Sequence, residues 1–166
     1  MKSNYIIALI GSMVILALTS CAEPSKYYQV SNRLPQIKPG HGRIYIYQDE
    51  EADKVNTGLF GAPEIPTVKL NGESVGSIYG HSFAFVDKPA GHYEAIGYTD
   101  ILTSLLSRKN SVNFDLKQGQ TRFIEVNVIG TVLLASTELR LIHPSQGLSN
   151  LNNLTFNTLS SDDLLP

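Results

Sequence analysis

The pattern of hydrophobic and polar positions divides the chain into an apolar N-terminal run and a longer region of short alternating segments. Residues 5–18 (YIIALIGSMVILAL) are almost wholly apolar, and Lys2 carries the only charge before residue 21. A helix of these 14 residues rises about 21 Å, less than the roughly 30 Å thickness of a bilayer core. The run therefore predicts a cleaved signal peptide over residues 1–20 rather than a membrane span.

Alternation of side chains from Arg43 onward predicts β-strands. Residues 43–47 (RIYIY) put Ile on one face and Tyr on the other. Residues 66–70 and 73–78 flank Asn71-Gly72, a pair suited to the positive φ angles of a two-residue hairpin turn. Further strands are predicted over residues 82–86, 92–98, 111–116, 120–128 and 132–142, with Gln118-Gly119 as a second hairpin turn.

Two segments have helical rather than alternating spacing. One is Asp100 to Lys109, and the other places Leu148, Leu151 and Leu154 after Ser145, a candidate N-cap. Short strands with Gly and Pro turns predict an all-β fold. We expect an antiparallel β-sandwich, immunoglobulin-like or prealbumin-like, of about seven or eight short strands with one or two short helices.

The segment between the signal peptide and the first predicted strand is rich in Pro and Gly. Residues 22–42 have no sustained period, which predicts a tether that reaches about 70 Å when fully extended. Alternatively, Tyr27, Tyr28 and Val30 add an edge strand. The predicted organisation is thus a signal peptide (1–20), a tether (21–42), a sandwich domain (43–154) and a flexible tail (155–166).

Composition narrows the range of partners. The chain of 166 residues has 13 Lys and Arg against 15 Asp and Glu, so its net charge of -2 argues against nucleic acid as a partner. Its single Cys excludes an intramolecular disulfide and a multi-thiolate metal site. No cofactor and no metal is predicted.

That cysteine stands in a recognisable sequence. Leu18-Thr19-Ser20-Cys21 resembles the lipobox of bacterial lipoproteins. The resemblance implies that the Cys21 thiol receives a diacylglycerol, that cleavage occurs just before it, and that the new amine is acylated, typically by palmitate. Ala22 and Glu23 follow, and this resemblance favours the outer membrane, facing the periplasm, in a Gram-negative host.

The predicted strands resemble a second family. Residues 68–76 (VKLNGESVG), 83–86 (FAFV) and 89–93 (PAGHY) are similar to an uncharacterised bacterial lipoprotein domain of unknown function. The same cadence, closing at Gly97-Tyr98, is similar to the small PEGA-type sandwich domains of bacterial surface proteins. These motifs are turn signatures, so the resemblance implies a fold and carries no catalytic residue.

Candidate chemistry is sparse. Residues 72–76 (GESVG) match the G-x-S-x-G nucleophile elbow, but a strand rather than a helix is predicted after Ser74. A hydrolase using Ser74 with His81 or His92 as base remains an alternative. The four histidines (His41, His81, His92 and His143) lack the i, i+4 spacing of a helical zinc pair, although several could still assemble in space.

Alternating aromatic residues are the remaining candidates for binding. They are Tyr45, Tyr47, Phe83, Phe85 and Tyr93. Exposed together they would form a recognition face, but such residues more often fill half of a sandwich core, which is the interpretation we favour. The sequence thus predicts a membrane-anchored envelope lipoprotein acting as a non-catalytic binding or structural module. A glycan or peptidoglycan binder and a subunit that docks on an envelope protein are further alternatives.

Overall fold

A computed structural model of the protein describes residues 26–49, 65–98, 110–131 and 134–157. The predicted signal peptide, Cys21 and the predicted helix at residues 100–109 lie outside these ranges. Within them, no helix has the length and apolar character needed to cross a membrane.

Two sheets account for most of the described chain. The strands are β1 (His41–Gln48), β2 (Thr67–Leu70), β3 (Glu73–Ser77), β4 (Ser82–Pro89), β5 (Gly91–Tyr98), β6 (Ser111–Leu116), β7 (Thr121–Thr131), β8 (Leu134–Ile142) and β9 (Thr155–Phe156). The helices are α1 (Tyr27–Val30), continued by a 3-10 turn at Ser31–Arg33, and α2 (Pro144–Leu151). Five strands pair in the order β8-β7-β1-β4-β9 and four in the order β3-β2-β5-β6. The predicted all-β sandwich is confirmed.

The strand order also distinguishes the two predicted sandwich types. In an immunoglobulin sandwich the first two strands share a sheet. Here β1 lies between β4 and β7, and β2 lies in the other sheet. The order of the described strands therefore differs from the immunoglobulin arrangement. The expected purely antiparallel pairing is incomplete, because β1 pairs with β7, and β4 with β9, in parallel.

The two predicted hairpins have different outcomes. Asn71 and Gly72 adopt φ angles of 48° and 85°, and β2 pairs with β3 as expected. The prediction of a hairpin at Gln118-Gly119 is wrong, because the strands on either side of this turn, β6 and β7, belong to different sheets. Gly119 still makes a tight turn at φ 72°, but its N–H donates to the His41 carbonyl at 2.8 Å, and β7 continues beside β1. A turn sequence specifies a reversal, not the partner strand.

The inner core lies between the two sheets. The five-stranded sheet contributes Ile44, Ile46, Ala84, Ile124, Val126 and Leu139, and the other sheet contributes Val68, Leu70, Ala95, Phe114 and Leu116. The sheets lie close together at Gly97, where a Cβ would collide with Thr137 and leave only 3.1 Å to Leu139. Burial of the apolar core side chains is the main driving force for the sandwich.

A second core covers the opposite face of the five-stranded sheet, which we call the outer face. It contains Tyr45, Tyr47, Phe83, Phe85 and Phe123, together with Leu151 and Leu154 from the segment between β8 and β9. Tyr27, Val30, Leu34, Ile142 and Phe156 pack against them. Both faces of this sheet are therefore buried, which explains why β1 is buried at almost every position.

This second core moves the domain boundaries. Residues 26–34 fold onto the sheet, whereas an extended tether was expected to reach residue 42, and Tyr27 to Val30 form a helical turn rather than an edge strand. Thr155 and Phe156 form β9, although the flexible tail was expected to begin at residue 155. The physical reason is the same at both ends, because without these segments the aromatic outer face would be open to water.

The predicted helix after β8 is present, but its cap differs. The N-cap of α2 is His143, and Pro144 occupies the first helical position. Proline favours that position because its fixed φ suits a helix and its missing N–H is not needed there. Ser145, the predicted cap, lies inside the helix, and its hydroxyl is 2.9 Å from His143 Nδ1.

Candidate functional site: the strap on the outer face

The first described residues lie across the outer face, and we call Lys26–Pro35 the strap. Its backbone joins the sheet edge through an antiparallel bridge between Lys26 and Thr155. The Tyr27 ring meets Phe83 and Tyr45 edge-on, with ring centroids 5.6 and 6.0 Å apart. The segment that leads back toward Cys21 is thus part of the folded domain.

Local sequence explains why the strap begins as a helical turn. The Lys26 N–H donates to Gln29 Oε1 at 2.8 Å, which satisfies a donor that a helix start would otherwise leave free. Tyr27, Val30 and Leu34 follow an i, i+3, i+7 spacing and all pack against the outer face. This spacing is the signal that an interpretation based on strand propensity overlooks.

Arg43 fastens the far end of the strap. Its Nε and Nη2 donate to the two Asp87 carboxylate oxygens at 2.7 and 2.8 Å, and Nη2 also donates to the Pro35 carbonyl at 2.7 Å. The guanidinium lies 4.4 Å from the Phe85 ring centroid, a cation–π contact. Although burial alone would lower the pKa of Arg43, the hydrogen bond and charge of Asp87 outweigh it and raise the pKa.

The two outer-face tyrosines of β1 are neutral and buried. Burial is the main cause that raises the pKa of Tyr47 to about 12, and its oxygen accepts a hydrogen bond from Asn150 Nδ2 at 3.0 Å. Burial likewise raises the pKa of Tyr45. These phenols therefore join the strap and α2 to the sheet as uncharged groups, and neither is poised for acid–base chemistry at neutral pH.

The predicted aromatic residues do not form an exposed face. Tyr45, Tyr47, Phe83 and Phe85 are at most 4% exposed and belong to the outer-face core. Tyr93 is half-buried in the other sheet, where it stacks on Phe114 and donates to the Pro89 carbonyl at 2.8 Å. Tyr45, Tyr47, Phe83 and Phe85 are thus core residues, whereas Tyr93 keeps part of its ring at the surface.

The geometry does not assemble a Ser–His pair around Ser74. Ser74 and Ile96 are both in register with Lys69, so they lie about 10 Å apart across β2. His92 is four residues farther along β5, about 16 Å from Ser74, whereas a nucleophile and its base need about 2.6–3.2 Å. His81 Nδ1 instead lies 3.3 Å from the Asp49 carbonyl oxygen.

The histidines lie in separate surroundings. His92 Nδ1 contacts an Asp115 carboxylate oxygen at 2.9 Å on the exposed surface, and His41 Nδ1 is 3.1 Å from the Pro39 carbonyl oxygen. In the described part of the chain, no three His, Cys, Asp or Glu residues gather as a metal site would require.

Comparison with known proteins places the domain in a family. The family described as "Protein of unknown function (DUF2846)" has a model that matches residues 38–135, more than half of the chain. The chain belongs to this family. The match agrees with the resemblance to an uncharacterised domain, and it begins at Lys38, after the strap. Among curated proteins, none matches the chain.

Proposed function

We propose that the protein is a membrane-anchored envelope lipoprotein whose sandwich acts as a non-catalytic binding or structural module. The observation that carries the proposal is the position of Cys21, the only cysteine, directly after the small residues Thr19 and Ser20 and an apolar run of signal-peptide length. Palmitate on the new amine and an outer-membrane location facing the periplasm, for a Gram-negative host, are parts of the same proposal.

The docked strap supports this proposal and limits how far the domain stands from the membrane. Lys26, the first strap residue, follows Cys21 by five positions, which is about 17 Å of fully extended chain. Two or three acyl chains hold a protein stably at a membrane, since each buried CH₂ contributes about 0.8 kcal/mol. The module would therefore work close to the lipid surface and not at the end of a long tether.

A structural or binding role also fits the contacts that the aromatic and charged side chains make within the fold. The outer-face aromatics, Arg43 and Asp87 hold the strap, and Ser74 is far from His92. These contacts favour a module that positions a surface over one that transforms a substrate.

The test is metabolic labelling with an alkyne fatty acid, combined with the intact mass of the membrane-extracted protein. We expect label and an added lipid mass on the wild type and neither on Cys21→Ser. A matched control is the double variant Cys21→Ser with Ser25→Cys, which keeps one cysteine but moves it four residues from the lipobox position. Labelling of Cys21→Ser, or an unmodified Cys21 in the wild type, would refute the proposal.

A further inference from the structure

The register of the five-stranded sheet locates the end of the sandwich from which the strap departs. Gln48, Ser82, Thr155 and Lys26 occupy one row across the sheet. We call the end of the sandwich at this row the anchor end. The open end of the β2–β3 hairpin lies there too, because the Ser82 hydroxyl donates to the Tyr79 carbonyl at 2.6 Å.

Exposed apolar side chains gather at the anchor end. Tyr28 is 59% exposed in the helical turn that follows Lys26, and Tyr79 is 53% exposed beside Ser82. Ile65, 36% exposed, lies next to Tyr79, because the Ile78 N–H donates to the Pro66 carbonyl and extends the β2–β3 register. These three residues come from separate parts of the sequence, and only the fold brings them to one end.

The longest hairpin projects from this same end. The pairing of β7 with β1 ends at Glu125, one position before the row of Lys26, while β7 and β8 continue as a two-stranded ribbon to Thr131 and Leu134. The five steps from Val126 to Thr131 extend about 17 Å beyond that row. Ile129 on this ribbon is 49% exposed, and residues 128–136 (VIGTVLLAS) include no charged residue.

The opposite end of the sandwich is polar. It carries the turns Asn71-Gly72 and Gln118-Gly119, and Lys88 pairs with Glu73 at 2.7 Å. His92 and Asp115 meet on the surface of the same end. Three of the six exposed large hydrophobic side chains in the described ranges thus lie at or beyond the row of Lys26, Tyr28 lies two residues inside it, and the ion-paired turns lie away from it.

We propose that the anchor end rests against the headgroup region of the bilayer that holds the lipid on Cys21, with the strands inclined to the membrane so that the β7–β8 ribbon and the exposed tyrosines reach the headgroups together. The proposal builds on the proposed lipid anchor. Chain length indicates that lipid, and not a partner protein, contacts the anchor end. About 17 Å of chain between Cys21 and Lys26 keeps this end near the lipid and leaves little room for a protein between them. Tyr side chains suit this position, since their amphipathic rings favour the membrane–water interface.

The experiment uses the full-length lipidated protein in vesicles of phosphatidylethanolamine and phosphatidylglycerol. A second cysteine is introduced at one exposed position and labelled with bimane, and the vesicles contain lipid with a nitroxide quencher near the headgroup. The test variants are Tyr79→Cys and Tyr28→Cys at the anchor end, and the matched control is Gln118→Cys in an exposed turn at the opposite end. We expect loss of fluorescence at residues 28 and 79 and an unchanged signal at residue 118.

Two readouts separate this proposal from the one on which it rests. Flotation with the vesicles and the mass of Cys21 report the anchor, while quenching reports the orientation. A protein that floats but shows equal quenching at both ends, or stronger quenching at residue 118, would overturn the docking proposal and leave the anchor standing. A protein that does not float and has an unmodified Cys21 would overturn both.

Discussion

Arg43 is the residue that joins the strap, the sheet and the aromatic outer face. Its side chain is 6% exposed, and it forms a bidentate pair with Asp87 on the neighbouring strand. Nη2, which already contacts Asp87, also donates to the Pro35 carbonyl, and the flat face of the guanidinium covers Phe85. Loss of this one side chain therefore removes an ion pair, a backbone anchor and a ring contact together.

We predict that Arg43→Met destabilises the domain by about 2–4 kcal/mol, because it leaves the Asp87 carboxylate largely buried without its partner. Urea denaturation measures this on a soluble Cys21→Ser form produced without residues 1–20, so that the apolar run is absent. Arg140→Met is the control, since Arg140 is 57% exposed in its pair with Glu138 and should change stability by less than about 1 kcal/mol. Equal effects of the two substitutions would show that the Arg43 contacts stabilise the domain no more than an exposed ion pair does.

Burial of the Tyr47 phenol makes the stability of the fold depend on pH in alkali. Its folded-state pKa is raised from 10.0 to about 12, mainly by burial, so the folded protein disfavours the phenolate. Stability from this group is complete below pH 10, declines as the unfolded chain ionises, and is lost as the pH passes about 12. Denaturation midpoints from pH 9 to 12 should therefore fall less steeply in Tyr47→Phe than in the protein with Tyr47. Parallel curves for the two proteins would contradict the assignment.

At the residue scale, the sequence reveals the alternation of side chains in β1 but not that both faces of the strand are buried. RIYIY predicts two faces of different character, and Ile44 and Ile46 do face the inner core. Burial of Tyr45 and Tyr47 depends on Tyr27, Leu151 and Phe156, which lie far from them in sequence. The Arg43–Asp87 pair depends in the same way on a register between residues 44 positions apart.

At the scale of elements, the strap and α2 together convert a sandwich of two sheets into a three-layered structure. The strap packs through Tyr27, Val30 and Leu34, and α2 is followed by Leu154 and Phe156. Gly147 lets α2 lie against the sheet, since a Cβ there would collide with the Phe123 ring. The outer layer is thus built from the two ends of the described chain.

We predict that Tyr27→Ala lowers the free energy of unfolding by about 1–3 kcal/mol, because its ring packs against Tyr45 and Phe83. Tyr28→Ala is the matched control. Tyr28 is the next residue in the same helical turn and is 59% exposed, so we expect a change within about 0.5 kcal/mol in the soluble Cys21→Ser form. If Tyr27→Ala and Tyr28→Ala both unfold at the same urea concentration as the protein with the two tyrosines unchanged, the strap does not pack as described.

Elements differ in how much of them a sequence can reveal. Asn71-Gly72 closes a hairpin between neighbouring strands, and local turn chemistry suffices to predict it. Gln118-Gly119 has an equally clear turn signature, yet β7 pairs with β1, about 80 residues earlier, because that partner completes the inner core. Pairing between distant strands is a property of the whole fold, which a local signature does not encode.

At the scale of the molecule, the sandwich class follows from strand spacing, while the domain boundaries do not. The Pro and Gly residues between 22 and 42 are typical of a linker, and only the need to cover the outer face explains why residues 26–34 fold. The anchor end is still less visible from sequence, since topology alone places Tyr28, Ile65, Tyr79 and Ile129 toward the same end of the sandwich.

The central claim is that a lipid on Cys21 and the docked strap hold the sandwich close to the membrane. Neutron reflectometry of the lipidated protein on a supported bilayer tests it directly, because it measures the water-filled gap between lipid and protein. With the strap docked, the chain from Cys21 to Lys26 allows a gap of no more than about 17 Å, and we predict a value near the lower end of that range. A protein layer centred several tens of ångströms away, as a released tether of 21 residues would allow, would contradict the account.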